Sequence, residues 1–220
     1  MLFRSMTMTV FKNADGKPVL LNIVKAIQDN KTYLGDIDGL IGDGDHGMNM
    51  NKGFTLFETR FKDKDFTFTE GLDELGNILF SEIGGSMGPI YGTIFMDTSE
   101  AGEDLDTITV SDLSTMLEAG LKGLQEIVEA QVGDKTLVDT LSPAVDSLKA
   151  SAAAGEDYNT ALEKMKAAAE AGKESTKDLV AKFGRSSRLG ERSRGVLDAG
   201  AVSCCIILTA MADGICKELS

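Results

Sequence analysis

Cysteine, proline and histidine are all scarce in this 220-residue chain, which has three, three and one of them. Three cysteines, two of them adjacent (Cys204 and Cys205), make no disulfide framework and fit a reduced, cytoplasmic compartment. The prolines (Pro18, Pro89, Pro143) are each expected near a helix beginning, where a missing N–H costs little. No apolar run reaches the length of a bilayer span, and Met1–Val10 lacks the sustained apolar stretch of a signal peptide. The most apolar segment, Ala199 to Cys216, is interrupted by Ser203, Thr209, Asp213 and Gly214 and reads as a buried helix. Basic residues are in deficit: 22 Lys and Arg face 35 Asp and Glu, for a net charge of −13. That argues against nucleic acid as a partner, since a phosphate-backbone binder carries a basic patch.

What is present is a chain built for helices. Its 42% apolar content can fill a core, and neither a Pro-rich nor a Gly/Ser linker divides it, so residues 1–220 read as one domain. Val19, Leu20, Ile23, Val24 and Ile27 predict a first helix over 18–28. A second begins near Met48 and carries Met50, Phe54 and Phe57; a third spans 69–80, with Thr69 as its N-cap. A fourth opens at the Gly84–Gly88 turn. A fifth follows Ser111 as cap, with Leu113, Met116, Leu117, Leu121, Leu124 and Ile127 inward. The sixth spans 137–152, the Ala/Lys/Glu-rich seventh 158–181, and the eighth starts after Ala199. Period-two alternation is largely missing, so the expected fold class is all-α.

Glycines cluster at 35–47, 84–92, 133 and 184–200, between helices, as expected where several loops converge on a ligand. The densest stretch, Asp36 to Gly47, has carboxylates at Asp36, Asp38, Asp43 and Asp45 and no Lys or Arg. Such charges repel unless solvated or neutralised, and a hard divalent cation neutralises them. Magnesium favours carboxylates together with phosphate oxygens and water. An EF-hand does not match, because position twelve counted from Asp36 is Gly47. Taken alone, the stretch also suits a solvated acidic loop. His46, beside it, points to a phosphate contact. Asn49 lies near a helix start, where backbone N–H groups attract anions. The turn Gly84-Gly85-Ser86-Met87-Gly88-Pro89 lets amides approach a phosphate, but it is neither a Walker A loop nor a dinucleotide fingerprint. Residues 184–195 gather Arg185, Arg188, Arg192 and Arg194, whose forks match phosphate oxygens. Asp198-Ala199-Gly200 caps the last helix.

Together, residues 37–54 (IDGLIGDGDHGMNMNKGF), 84–95 (GGSMGPIYGTIF), 133–139 (GDKTLVD) and 184–203 (GRSSRLGERSRGVLDAGAVS) resemble one family. It comprises the L subunit of bacterial phosphoenolpyruvate-dependent dihydroxyacetone kinases and the matching C-terminal domain of ATP-dependent ones. The resemblance implies a barrel of eight antiparallel helices with nucleotide at one end. It implies that Asp38, Asp43 and Asp45 hold two Mg2+ bridging the phosphates of ADP or ATP. It assigns nucleotide contacts to His46, Gly47, Met48, Asn49, Ser86, Met87, Leu137, Arg185, Asp198 and Ala199. No nucleophile on this chain is implied. The implied partners are a sugar-binding K subunit and a phosphohistidine-carrying M subunit. A transcriptional regulator and a homodimer contact are further options, as is an ATP-dependent subunit acting on a tetrulose. The chain departs from the family at Ser86-Met87, where the hydroxyl is displaced by one residue, and at Ala199, where the family has proline.

Overall fold

The computed structural model describes residues 10–219, so the amino-terminal stretch read for a signal peptide lies, except for Val10, outside them. Nine α-helices form among the described residues: α1 Gly16–Asp29, α2 Lys31–Ile41, α3 His46–Phe61, α4 Phe68–Glu82, α5 Met87–Glu100, α6 Val110–Ile127, α7 Val138–Ala153, α8 Tyr158–Ser175 and α9 Ala199–Glu218. A two-residue antiparallel bridge joins β1 (Phe11–Lys12) to β2 (Thr107–Ile108) and is the whole of the described sheet. The class is all-α, as expected.

Eight of these helices close a ring. α1 packs on α3, each of α3 to α8 packs on the next, and α8 packs on α9, which returns to α1. This is the barrel of antiparallel helices that the sequence resemblance implied. Its core runs from Phe11 through Leu20, Phe54, Phe57, Leu72, Leu113, Leu148 and Met165 to Ile215. Each large side chain fully buried there contributes about 1.5–3 kcal/mol of hydrophobic stabilisation. α9 is apolar enough to span a bilayer by composition, with a mean hydropathy of 1.8 over its best window. In the barrel 72% of that window is buried, against α1, α2, α7 and α8. Its apolar surface is spent on the core, as its interrupted sequence suggested.

The ninth helix, α2, has no counterpart among the eight helices expected from periodicity, although Asp38 does end a helix, as its place before the acidic loop suggests. Gly35, Asp36, Asp38 and Gly39 are weak helix formers. Tertiary packing of Leu34, Ile37 and Ile41 on one face overrides that preference. It packs outside the ring on α3 and α9 and delivers Asp38 to the barrel end.

Three further expectations are corrected. The caps lie two residues earlier than read: Thr67 and Thr109, not Thr69 and Ser111. In each case a carboxylate three residues on (Glu70 or Asp112) returns the bond and closes a capping box. Pro143 sits well inside α7, not at its start. Its absent N–H leaves the Asp139 carbonyl without the usual helical donor. That carbonyl instead abuts Gly172 of α8, where an added Cβ would fall 2.1 Å from it. The seventh predicted helix, α8, stops at Ser175 and not near Ala181. There the Thr176 carbonyl accepts from Lys135 Nζ at 2.5 Å and its Oγ1 accepts from the Asp198 amide at 3.0 Å. Those long-range ties divert the chain.

Candidate functional site

Four helices, α3, α5, α7 and α9, begin at the same end of the barrel, and residues of all four line one cavity of about 1340 Å3. The positive ends of four helix dipoles therefore face one volume. That arrangement favours an anion with several charges.

The acidic loop forms one edge. Asp38 occupies the last turn of α2, where the helix dipole disfavours a carboxylate. It is held by the first amide of α3, since the His46 N–H donates to its Oδ2 at 3.2 Å. The Asp43 carboxylate neighbours that of Asp38. Its Oδ2 also meets Arg185 Nη1 at 2.7 Å, so residues 142 apart in sequence join across the mouth. Burial, then the neighbouring Asp43 charge, push the Asp38 pKa upward. For Asp43 desolvation also raises the pKa, but the Asp45 amide, Arg185 and Asp38 together outweigh it and hold the group below the usual carboxylate range. Two carboxylates in contact, with a single arginine as countercharge, are under-neutralised.

These oxygens fit magnesium. Among the described residues no three His, Cys, Asp or Glu side chains close into a cage. A partial set of hard oxygen donors suits a cation that keeps water and takes phosphate oxygens.

The opposite edge is the Gly84–Ser86 turn ahead of α5. Gly85 has φ +73° and nothing within 4 Å of where a Cβ would stand, so the turn leaves its amides accessible in a conformation only glycine adopts easily. Beyond it Leu124, Ile127, Val128, Leu137 and Phe183 form an apolar wall. The floor is the start of α9: Asp198 caps it by accepting from the Ala201 amide at 2.8 Å. Burial pushes Asp198 up to about 6, against the Ala201 amide and the Lys135 ammonium, which lower it.

Eleven of the thirteen expected site residues line this cavity: Asp38, Asp43, Asp45, His46, Asn49, Ser86, Met87, Leu137, Arg185, Asp198 and Ala199. Gly47 and Met48 do not. Gly47 is buried where α3 touches α2, and Met48 points outward with 56% of its surface exposed. The His46 ring turns inward to Ser203.

Sequence reasoning passed over Lys135, which is buried, has a left-handed φ of 62°, and donates to the carbonyls of Thr176 and Val196. It pins the segment that carries Arg185 and Asp198. A lysine inside a Gly-Asp-Lys-Thr turn was the available signal. Tyr91 and Ser203 were also missed, and nothing in their spacing marks them.

His46 carries a pH prediction. Desolvation lowers its pKa from 6.5 to about 4, with the Asp43 charge opposing. A depressed folded pKa means that the unfolded chain takes the proton first. The contribution to stability is therefore whole above pH 6.5 and lost as pH falls towards 4, on the order of 3 kcal/mol in all. Asp198 acts oppositely, losing stability as pH rises from 3.8 to about 6. Because the windows overlap, NMR of the single histidine in metal-free protein is the decisive measurement. Its ring is expected to titrate near pH 4; a midpoint of 6.5 would mean a solvated ring.

The sequence profile of the DAK2 domain matches residues 40–213, most of the chain and nearly all of this site. The chain belongs to the DAK2 domain family. The PEP-dependent dihydroxyacetone kinase 1, ADP-binding subunit DhaL, of Listeria innocua is 38% identical to this DAK2 chain over 186 residues, covering 84% of it and 88% of that subunit. The corresponding ADP-binding subunit DhaL of Escherichia coli is 37% identical over 183 residues, covering 82% and 86%. Among solved structures, the dihydroxyacetone kinase of C. freundii in complex with AMP-PNP and Mg2+ superposes with a TM-score of 0.68 at 22% identity. That superposition covers 97% of this chain and 36% of the kinase, and it shows a shared DAK2 fold.

Proposed function

We propose that this chain is the nucleotide-holding subunit of a dihydroxyacetone-type kinase and that residues 1–220 work as one domain. ADP or ATP occupies the cavity at the barrel end with two Mg2+. Phosphoryl passes from a phosphohistidine on an M-type partner, by way of the nucleotide, to a short ketose held by a K-type partner. The chain acts in the cytoplasm. The observation that carries this reading is the convergence of four helix starts, the Asp38–Asp43 pair and Arg185 on one cavity.

The chain's own part is binding and orientation. Asp38, Asp43 and Asp45 receive the cations, which offset charge on the phosphates when bound. Helix-start amides and the Gly84–Ser86 turn hold the phosphate oxygens, and the apolar wall around Leu137 takes the base. Arg185 now neutralises Asp43; once cations take over that task, its fork is released to the phosphoryl group being transferred. Both names of the 37–38% identical relatives specify an ADP-binding subunit, which favours a retained nucleotide.

Freshly purified protein, denatured and analysed by mass spectrometry with magnesium quantified alongside, is expected to release near-stoichiometric ADP and about two Mg2+ per nucleotide. Empty protein that also fails to take up Mg-ATP on titration would refute the reading.

A further inference from the structure

Below the cavity, three side chains from three helices share a polar contact. His46 opens α3, Tyr91 lies in the second turn of α5, and Ser203 lies in the second turn of α9. Ser203 Oγ is 2.8 Å from His46 Nε2 and 2.6 Å from Tyr91 Oη. Both hydroxyls also reach the Gly200 carbonyl, at 3.1 Å from Ser203 and 3.2 Å from Tyr91. All three residues are buried, Ser203 completely. The other ring nitrogen of His46, Nδ1, bonds to no described residue and is not among the buried atoms left unpaired. His46 lines the cavity, so Nδ1 opens onto it.

Counting protons orients this network. Gly200 offers only an acceptor, and the two hydroxyls supply one proton each. If Nε2 carries a proton, it donates to Ser203, and both hydroxyl protons still have acceptors within the group, for three hydrogen bonds. If Nε2 is bare, only the two hydroxyl protons remain, for two bonds. In a buried setting the difference of one bond is worth about a factor of ten in the tautomer ratio.

We infer that Ser203, backed by Tyr91, is a positioning residue that locks His46 as the Nε2–H tautomer and presents the bare Nδ1 to the cavity as an acceptor for an O–H donor of the bound ligand. Such a donor is a cation-bound water or a ribose hydroxyl. An unprotonated phosphate oxygen, itself an acceptor, is excluded from that position. The direct phosphate contact expected for the ring from its sequence position is thereby replaced. The identity of the ligand rests on the nucleotide reading above, whereas the tautomer does not.

The single histidine makes the test clean. Long-range 1H–15N spectra of nucleotide-free, metal-free protein near neutral pH are expected to show protonated Nε2 and bare Nδ1. Ser203→Ala removes the acceptor of the Nε2–H; both tautomers should then be populated, and Mg-ADP should bind about twofold more weakly, in proportion to the lost fraction of the competent tautomer. Ser203→Thr, which returns the hydroxyl, should restore the wild-type spectrum. Tyr91→Phe should keep the tautomer, because Ser203 still donates to Gly200. This variant also controls for simple loosening of the core.

A wild-type ring protonated at Nδ1 would overturn the proposal, as would a Ser203→Ala variant with unchanged tautomer and affinity. Wild-type protein with the expected tautomer but no affinity for Mg-ADP would overturn the nucleotide site and leave the tautomer lock standing. A ribose hydroxyl as donor predicts that 2′- and 3′-deoxy nucleotides lose the Ser203 dependence. A cation-bound water predicts that they keep it.

Discussion

Replacing Asp43 with alanine should abolish the magnesium dependence of nucleotide binding while leaving the helical content unchanged. Asp43 is on the cavity rim, outside the hydrophobic core, so its loss removes no packing. It does remove one of the two carboxylates in contact and also releases Arg185. A lost charge-assisted contact costs about 1.5–3 kcal/mol, or roughly ten- to a hundredfold in affinity for Mg-ADP. Freed Arg185 can then reach phosphate directly, so ADP without metal should bind as well as or better than to wild type. Calorimetric titration with and without magnesium reads both effects. Asp43→Asn serves as the steric control, because it retains an oxygen for the Asp45 amide, which now meets Oδ1 at 3.4 Å. Tight, magnesium-dependent binding by the alanine variant would remove Asp43 from the metal set.

The second large effect is expected at Gly47. On propensity alone, glycine to alanine in the first turn of a helix should stabilise, by up to about 1 kcal/mol. Here an added Cβ would stand 2.0 Å from the Lys31 carbonyl oxygen and 2.7 Å from the Gly35 amide, both backbone atoms of α2. Neither can rotate aside, so α2 must move away from α3. Overpacking of this kind costs about 1–3 kcal/mol or more. For a chain of this size that lowers Tm by several degrees, roughly 2–4 °C per kcal/mol. Since α2 carries Asp38 to the His46 amide, Gly47→Ala should weaken Mg-ADP binding as well. Asp43→Ala should change affinity without stability, and Gly47→Ala should change both. Thermal unfolding followed by titration separates them. An unshifted Tm for Gly47→Ala would show that α2 is not held against α3 as described.

The fold was legible where periodicity was strong. Leu113, Met116, Leu117 and Leu124 marked the buried face of α6, whereas Ile127, read as inward, is exposed at its end on the cavity wall, and the interrupted apolar run after Ala199 correctly read as a core helix. α2 was missed because its glycines and aspartates serve close approach and charge, so they obscure the helical pattern. The caps were misplaced by two residues because Thr69 and Ser111 are themselves cap-type residues. Only the reciprocal bonds of Glu70 to Thr67 and Asp112 to Thr109 decide between the candidates. Pro143 stands inside α7, and the carbonyl that it leaves without a helical donor lies against Gly172 of α8, a juxtaposition that no local spacing marks.

For the site, sequence alone determined its chemistry: a run of carboxylates without a cation, glycine turns ahead of helices, and an arginine cluster in an acidic chain. Each is local, since residue type and spacing suffice to suggest a hard cation and an anion. Tertiary structure decided what meets what. Only closure of the eight-helix ring brings the starts of α3, α5, α7 and α9 to one end and sets Arg185 against Asp43. It also turns the His46 ring inward to Ser203, 157 residues away, and buries Lys135 beneath the loop that it ties. Such pairings depend on packing between distant segments, where the gain from burial and hydrogen bonding outweighs local preference. No short window of sequence holds that information.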